Sequence, residues 1–153
     1  MQFVDTNVLL YAISRDPDEQ DKATRANDIL AAGEVALSVQ VLQEFYVQAT
    51  RASRSDPITH EQAVGLVESF LRFPVQAISA DLMRAAMTTR QRFGISYWDA
   101  AILEASRSFG CDTVLSEDLS SATDYDGVRV VNPFEPRFDR EPDTGSSSGS
   151  TTV

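Results

Sequence analysis

A single cysteine, Cys111, and a single histidine, His60, occur in the 153 residues. One cysteine cannot close an intramolecular disulfide, and the two together cannot build a Cys/His zinc cluster. A serine or cysteine nucleophile wants a histidine base, and His60 sits at a predicted helix start beside Glu61, where a surface role is expected. Cys111 lies beside Gly110 and before an apolar run, the setting of a small core residue rather than a reactive thiol. Lysine is nearly missing as well: of 13 basic residues only Lys22 is not arginine. No apolar run reaches the roughly 18 residues of a spanning helix. The start, Met1-Gln2-Phe3-Val4-Asp5, shows neither the basic nor the apolar region of a secretory signal. The expectation is a soluble, cytoplasmic protein with no membrane partner.

A basic surplus is the next absence. Thirteen cations face 23 anions, for a net charge of −10. That excludes a protein that holds nucleic acid by bulk electrostatics. It leaves room for an enzyme that meets phosphate through bound divalent cations, which invert the local sign. Phosphate-cradling loops are also missing, since neither G-x-x-x-x-G-K-[ST] nor G-x-G-x-x-G occurs.

The length fits one domain, and apolar residues at 42% suffice for a core. Residues 144–152 are all Ser, Thr or Gly, and the stretch before them is charged and holds Pro142. Such a composition cannot offset its ordering entropy, so 139–153 is predicted to be disordered and 1–138 to be the folded domain. Within that domain short apolar runs alternate with helix-period segments. The runs are Phe3-Val4, Val35 to Leu37, Val75 to Ile78, Thr113 to Leu115 and Val128 to Val131. Leu42, Phe45, Tyr46 and Ala49 follow the i, i+3, i+4, i+7 template, as do Trp98, Ala101, Ile102 and Ala105. Ala63, Val67, Phe70 and Leu71, then Leu82, Ala86, Thr89 and Phe93, continue the pattern. Gly33, Gly94 and Gly110 stand where helices stop. Strands alternating with helices predict an α/β fold with a parallel sheet and helices on both faces.

In such sheets ligands bind at the C-terminal strand ends. The first strand runs into Asp5-Thr6-Asn7 and the fourth into Ser116-Glu117-Asp118. Glu44 falls about one turn into the helix after the second strand, and Asp99 starts the helix before the fourth. Four elements thus deliver four carboxylates to one sheet edge. Like charges so close need a cation or a shared proton. An all-oxygen donor set suits Mg²⁺ or Mn²⁺, ions that activate water against a phosphodiester in metal-dependent nucleases. Each acid also has a plainer reading. Asp5 is a fit N-cap, Asp118 a turn residue, Glu44 a solvated helix residue, and Ser96-Tyr97-Trp98-Asp99 a capping box. Against the plainer readings, Glu44 and Asp99 each stand alone in strongly apolar helices.

The segments Val4-Asp5-Thr6-Asn7-Val8-Leu9, Leu42-Gln43-Glu44-Phe45-Tyr46, Tyr97-Trp98-Asp99-Ala100-Ala101-Ile102 and Leu115-Ser116-Glu117-Asp118 together resemble a PIN domain. More closely they resemble a VapC-type toxin ribonuclease, whose chains commonly end in a strand followed by Asn-Pro-Phe, here Val130-Val131-Asn132-Pro133-Phe134. The resemblance spans about residues 1–138. It implies a three-layer fold with a five-stranded parallel sheet in the order 3-2-1-4-5. It implies an acidic Mg²⁺/Mn²⁺ centre of Asp5, Glu44, Asp99 and Asp118, supported by Asn7 and Ser116. It also implies an RNA substrate, products with 5′-phosphate and 3′-hydroxyl ends, a silencing antitoxin, and a dimer or larger complex. Glu117, Asp124 and Asp126 leave the last metal ligand open, although Asp124-Tyr125-Asp126-Gly127 reads better as a turn. A haloacid-dehalogenase-type phosphatase would want an Asp where Asn7 stands, and it and a response-regulator receiver would want a late lysine, which Lys22 is not. The alternative of another class is a PIN-fold RNA- or protein-binding module with an inactive metal site. Surplus apolar residues from Val8 to Ile13 and at Phe45-Tyr46 are candidates for a partner surface as well as for the core.

Overall fold

A computed structural model describes residues 1–120 and 123–136. The domain boundary expected at 138 and the tail expected over 139–153 lie outside the described residues. The chain runs β1 (Gln2–Val4), α1 (Thr6–Ala12), a 3-10 turn (Pro17–Glu19), α2 (Gln20–Ala32), β2 (Val35–Ser38), α3 (Val39–Thr50), α4 (His60–Phe70), β3 (Val75–Gln76), α5 (Ala80–Phe93), α6 (Tyr97–Ser108), β4 (Thr113–Leu115), β5 (Asp124–Tyr125) and β6 (Val128–Val131).

The sheet order is β3-β2-β1-β4-β6-β5. Its first five strands in that order are the five apolar runs, all parallel, with Phe3 beside Ala36 and Val114 and Val4 beside Leu115. The 3-2-1-4-5 arrangement implied by the resemblance is therefore present. A sixth strand, β5, adds to it antiparallel to β6 at the edge. Asp126 and Gly127 between them have φ of 55° and 87°. Two successive positive φ values match the type I′ turn that suits the twist of a hairpin. The predicted turn is thus real, and its first two residues also pair as a strand.

The central strands are buried on both sides, and Phe3, Val4, Leu37, Val114 and Val130 are at or near zero exposure. Val8, Leu9, Phe45 and Leu103 pack onto them from the helices. Each such side chain contributes about 1.5–3 kcal/mol on leaving water. The expected helix faces hold for Leu42, Phe45, Ala49, Ala63, Phe70, Ala86 and Thr89, all buried. Two residues depart from the pattern. Leu71 caps the end of α4 and is 47% exposed; Trp98 is 63% exposed. Periodicity places Trp98 on the core face of α6, but it lies in the first turn, which runs past the strand ends where no layer covers it. Gly33, Gly94 and Gly110 all adopt the positive φ of helix stops.

Of the surplus apolar residues, Val8, Leu9 and Phe45 are core, while Leu10, Tyr11, Ile13 and Tyr46 are half-buried. Among the described residues no helix is long and apolar enough to cross a membrane.

Candidate active site

Asp5 follows β1 directly and caps α1, its Oδ1 accepting from the Thr6 N–H at 2.7 Å. The other oxygen, Oδ2, accepts from the Ser116 hydroxyl at 2.8 Å, across the gap between the ends of β1 and β4. Ser116 Oγ in turn accepts the backbone N–H groups of Asp118 and Leu119, both at 3.2 Å, which shapes the turn after β4. Asn7 braces the same turn. Its Nδ2 donates to Ser116 Oγ at 3.3 Å and to Asp118 Oδ2 at 3.2 Å, while its Oδ1 accepts from the Glu117 N–H at 3.3 Å. Both expected supports therefore hold the strand ends together and aim two of the four acids.

Glu44 reaches the site from α3. Its Oε2 accepts from Thr6 Oγ1 at 2.9 Å and its Oε1 from Gln40 Nε2 at 3.0 Å. Asp99 comes from the first turn of α6. The capping reading of that turn is half met: Ser96 Oγ accepts from the Asp99 N–H at 3.1 Å. Among the described residues the Asp99 carboxylate makes no return bond to the Ser96 N–H, and it lines the cleft instead. Asp5, Glu44, Asp99 and Asp118, with Thr6, Asn7, Gln40, Gln48 and Trp98, line a single cleft of about 110 Å³ beyond the C-terminal ends of β1 and β4. Sequence reasoning did not single out Thr6, Gln40 or Gln48. A signal for two of them was present, because Gln40, Glu44 and Gln48 recur at four-residue spacing and so share one side of α3.

The other acids near the fourth strand are engaged elsewhere. Burial alone would raise the Glu117 carboxyl, but the Lys22 ammonium and the Tyr11 hydroxyl beside it hold it below the usual range. Asp124 Oδ1 accepts from the Gly127 N–H at 2.7 Å, and Asp126 is ion-paired with Arg92 at 2.7 Å. None of the three lines the cleft. His60 bonds the Tyr46 hydroxyl at 2.9 Å on the surface, and Cys111 is buried. Among the described residues no Arg or Lys lines the cleft; Arg15 and Arg54 line an adjoining pocket that shares Leu10 with it.

Asp5 is 6% exposed, and its carboxyl is pushed up to about 6. Desolvation is the main cause; the bonds from Ser116 and Thr6 pull it back, and the charges of Glu44 and Asp118 push it further up. The site thus holds more negative charge than it can comfortably carry alone. The donors are all oxygen, which fits a hard divalent cation such as Mg²⁺ or Mn²⁺. Among the described residues no three acidic, His or Cys side chains close on one point, so the carboxylates line a cleft rather than form a finished cage.

Residues 3–123 match the family model of the PIN domain. No curated protein matches the chain. Among solved structures, VapC20 of Mycobacterium tuberculosis, a sarcin-ricin loop cleaving toxin, is 20% identical with a TM-score of 0.60, over 77% of this chain and 90% of its own. A toxin–antitoxin complex from Klebsiella pneumoniae is 22% identical with a TM-score of 0.64, over 89% of this chain and 100% of the other. VapBC2 from Rickettsia felis, bound to a DNA fragment from its promoter, is 18% identical with a TM-score of 0.59, over 86% and 97%. At such identities the likeness is one of fold. The family model covers most of the chain, from the first strand through the acidic strand ends, and on that match the chain belongs to the PIN domain family.

Proposed function

We propose that the chain is a metal-dependent endoribonuclease and the toxin of a type II toxin–antitoxin pair. The observation that carries this reading is the lining of one small cleft by four carboxylates from four separate elements, one of them desolvated and pushed up in pKa. Asp5, Glu44, Asp99 and Asp118 would hold Mg²⁺, or Mn²⁺ in its place. When bound, the ion supplies an activated water and charge neutralisation at the phosphate. The chain's own residues do the positioning. Ser116 and the Thr6 N–H fix the two oxygens of Asp5, Asn7 fixes Asp118, and Thr6 with Gln40 fixes Glu44. With the four carboxylates assigned to the ion, water would be the nucleophile, and the family resemblance implies products with 5′-phosphate and 3′-hydroxyl ends.

An antitoxin partner is supported by the similar structures, which include toxin–antitoxin complexes. A surface for a partner or for a second copy exists between α3 and α4, where exposed Val47, Val64 and Leu71 flank an apolar groove. The cytoplasm, where RNA and such partners meet, is the compartment this reading requires.

A binding module with an inactive centre is the second reading, favoured by the spread of the carboxylates. A ribonuclease assay separates the two. Wild-type protein should cleave RNA with Mg²⁺ or Mn²⁺ and stop in chelator, and Asp99→Asn should lose at least about a hundredfold in rate. Cleavage that persists in chelator with cyclic-phosphate ends would overturn the mechanism. No cleavage with either metal would leave the binding module.

A further inference from the structure

Trp98 is the chain's one tryptophan and is 63% exposed, although the fold fully buries Phe3 and Phe45. A lone exposed apolar residue is ordinary, but the position of this one is not. Trp98 lines the acidic cleft and also a second, smaller hollow of about 70 Å³. Every residue around that hollow is uncharged; Gln40, Gln43, Gln76, Ile78, Met83 and Tyr97 supply much of its wall. In a chain of net charge −10, a neutral hollow of amides and apolar groups directly beside four carboxylates is a separate chemical environment.

The indole is held in place. Its ring meets Tyr97 edge-on, with centroids 5.0 Å apart at 80°. Its backbone carbonyl accepts from Gln40 Nε2 at 3.3 Å, the same nitrogen that donates to Glu44 at 3.0 Å. One amide therefore ties the aromatic surface to a cleft carboxylate.

We infer that Trp98 is a stacking platform for an unpaired RNA base next to the phosphate held in the acidic cleft, with the base edge turned into the Gln-lined hollow. The inference rests on the nuclease reading of that cleft. A base is flat, neutral and bears hydrogen-bonding edges, which match an indole face and the exposed amide of Gln43. The hollow is too small for a whole nucleotide, so the face of the base stays outside, on the indole. Among the described residues no Lys or Arg lines either space. Stacking is then the local source of affinity that repulsion between protein and RNA does not cancel. A base inside a duplex has both faces stacked and its pairing edge occupied, so the interior of duplex RNA is excluded from the platform.

Because Trp98 is the sole tryptophan, its emission reports the event directly. With Mg²⁺ present, a cleavage-resistant phosphorothioate oligoribonucleotide should quench Trp98 fluorescence when unpaired and leave it unchanged when annealed to its complement. In cleavage of the unpaired RNA, Trp98→Leu should raise KM about tenfold with kcat within about twofold, and Trp98→Phe should recover most of the loss. Trp98 is exposed, so both variants should melt as wild type does. Emission unchanged by unpaired RNA overturns the inference, whether or not the protein cleaves. So does emission that shifts with protein concentration alone, which would make this face a contact between copies. If neither metal gives cleavage but unpaired RNA still quenches, the nuclease reading fails and the platform stands.

Discussion

The carboxylate of Asp5 caps α1 with one oxygen and meets Ser116 with the other, so a single side chain serves both folding and the cleft. Its carboxyl is raised to about 6 against 3.8 for the free group, mainly by desolvation. A raised carboxyl makes the folded state bind protons more tightly than the unfolded one. The resulting penalty is absent below pH 3.8, grows as pH rises to 6, and is constant above that. Metal-free protein should therefore lose on the order of 2–3 kcal/mol of stability across that window from this group. Asn keeps the cap but its amide meets a Ser116 oxygen that already accepts three N–H groups, so the test is the pH trend: Asp5→Asn should gain on wild type in chelator as pH rises from 3.8 to 6. A divalent ion held by the folded site, as proposed, should raise the melting temperature of wild type but not of the variant. Denaturant titrations of both proteins across pH test this, and identical profiles would mean that Asp5 carries no buried charge. At this scale the sequence marked four acids that the fold brings to one cleft, because Asp5 and Asp118 follow strands closely and Glu44 and Asp99 fall in the early turns of helices. It misplaced Trp98 because a helical period says which residues share a face, and not whether anything covers the first turn.

α6 joins the site to the far edge of the sheet. Its first turn presents Trp98 and Asp99, its middle packs Ala100 and Ala101 against Ala86 of α5, and its last turn holds Arg107. Arg107 donates from Nη1 to the Asp126 carbonyl at 2.6 Å and from Nη2 to the Tyr125 carbonyl at 2.8 Å, and it pairs with Glu104. These bonds pin the β5–β6 hairpin to the helix. Arg107→Ala should cost about 2 kcal/mol, since two carbonyls lose a charged donor and the mostly buried Glu104 loses its partner. Chemical denaturation would show this loss, while the stabilisation gained from divalent metal should stay that of wild type. A variant that instead lost the metal response would mean that the hairpin shapes the cleft. The five parallel strands were legible because their apolar runs alternate with helical faces. β5 was not, because two residues of mixed polarity make no pattern and only the Asp126-Gly127 pair signals a hairpin.

The whole molecule carries a net charge of −10, which repels RNA, and among the described residues no cation lines the acidic cleft. Arg15 and Arg54 line the pocket sharing Leu10, and Arg15 already faces Asp56 at 4.0 Å. Proteins that neutralise many phosphates release many counterions, and their affinity falls steeply with salt. On the proposed reading a divalent ion would do the neutralising at one phosphate, and stacking on Trp98 would be insensitive to salt. The log of KM for cleavage of unpaired RNA should rise with log [NaCl] with a slope of about one or two at most, while divalent concentration should govern the rate strongly. Metal-dependent charge reversal and a net negative body predict this combination together; a general RNA-binding surface predicts the reverse. A measured slope of about five or more would place several arginines on the RNA path, and the affinity would then come from a basic track along the adjoining pocket instead of from the cleft and its aromatic rim.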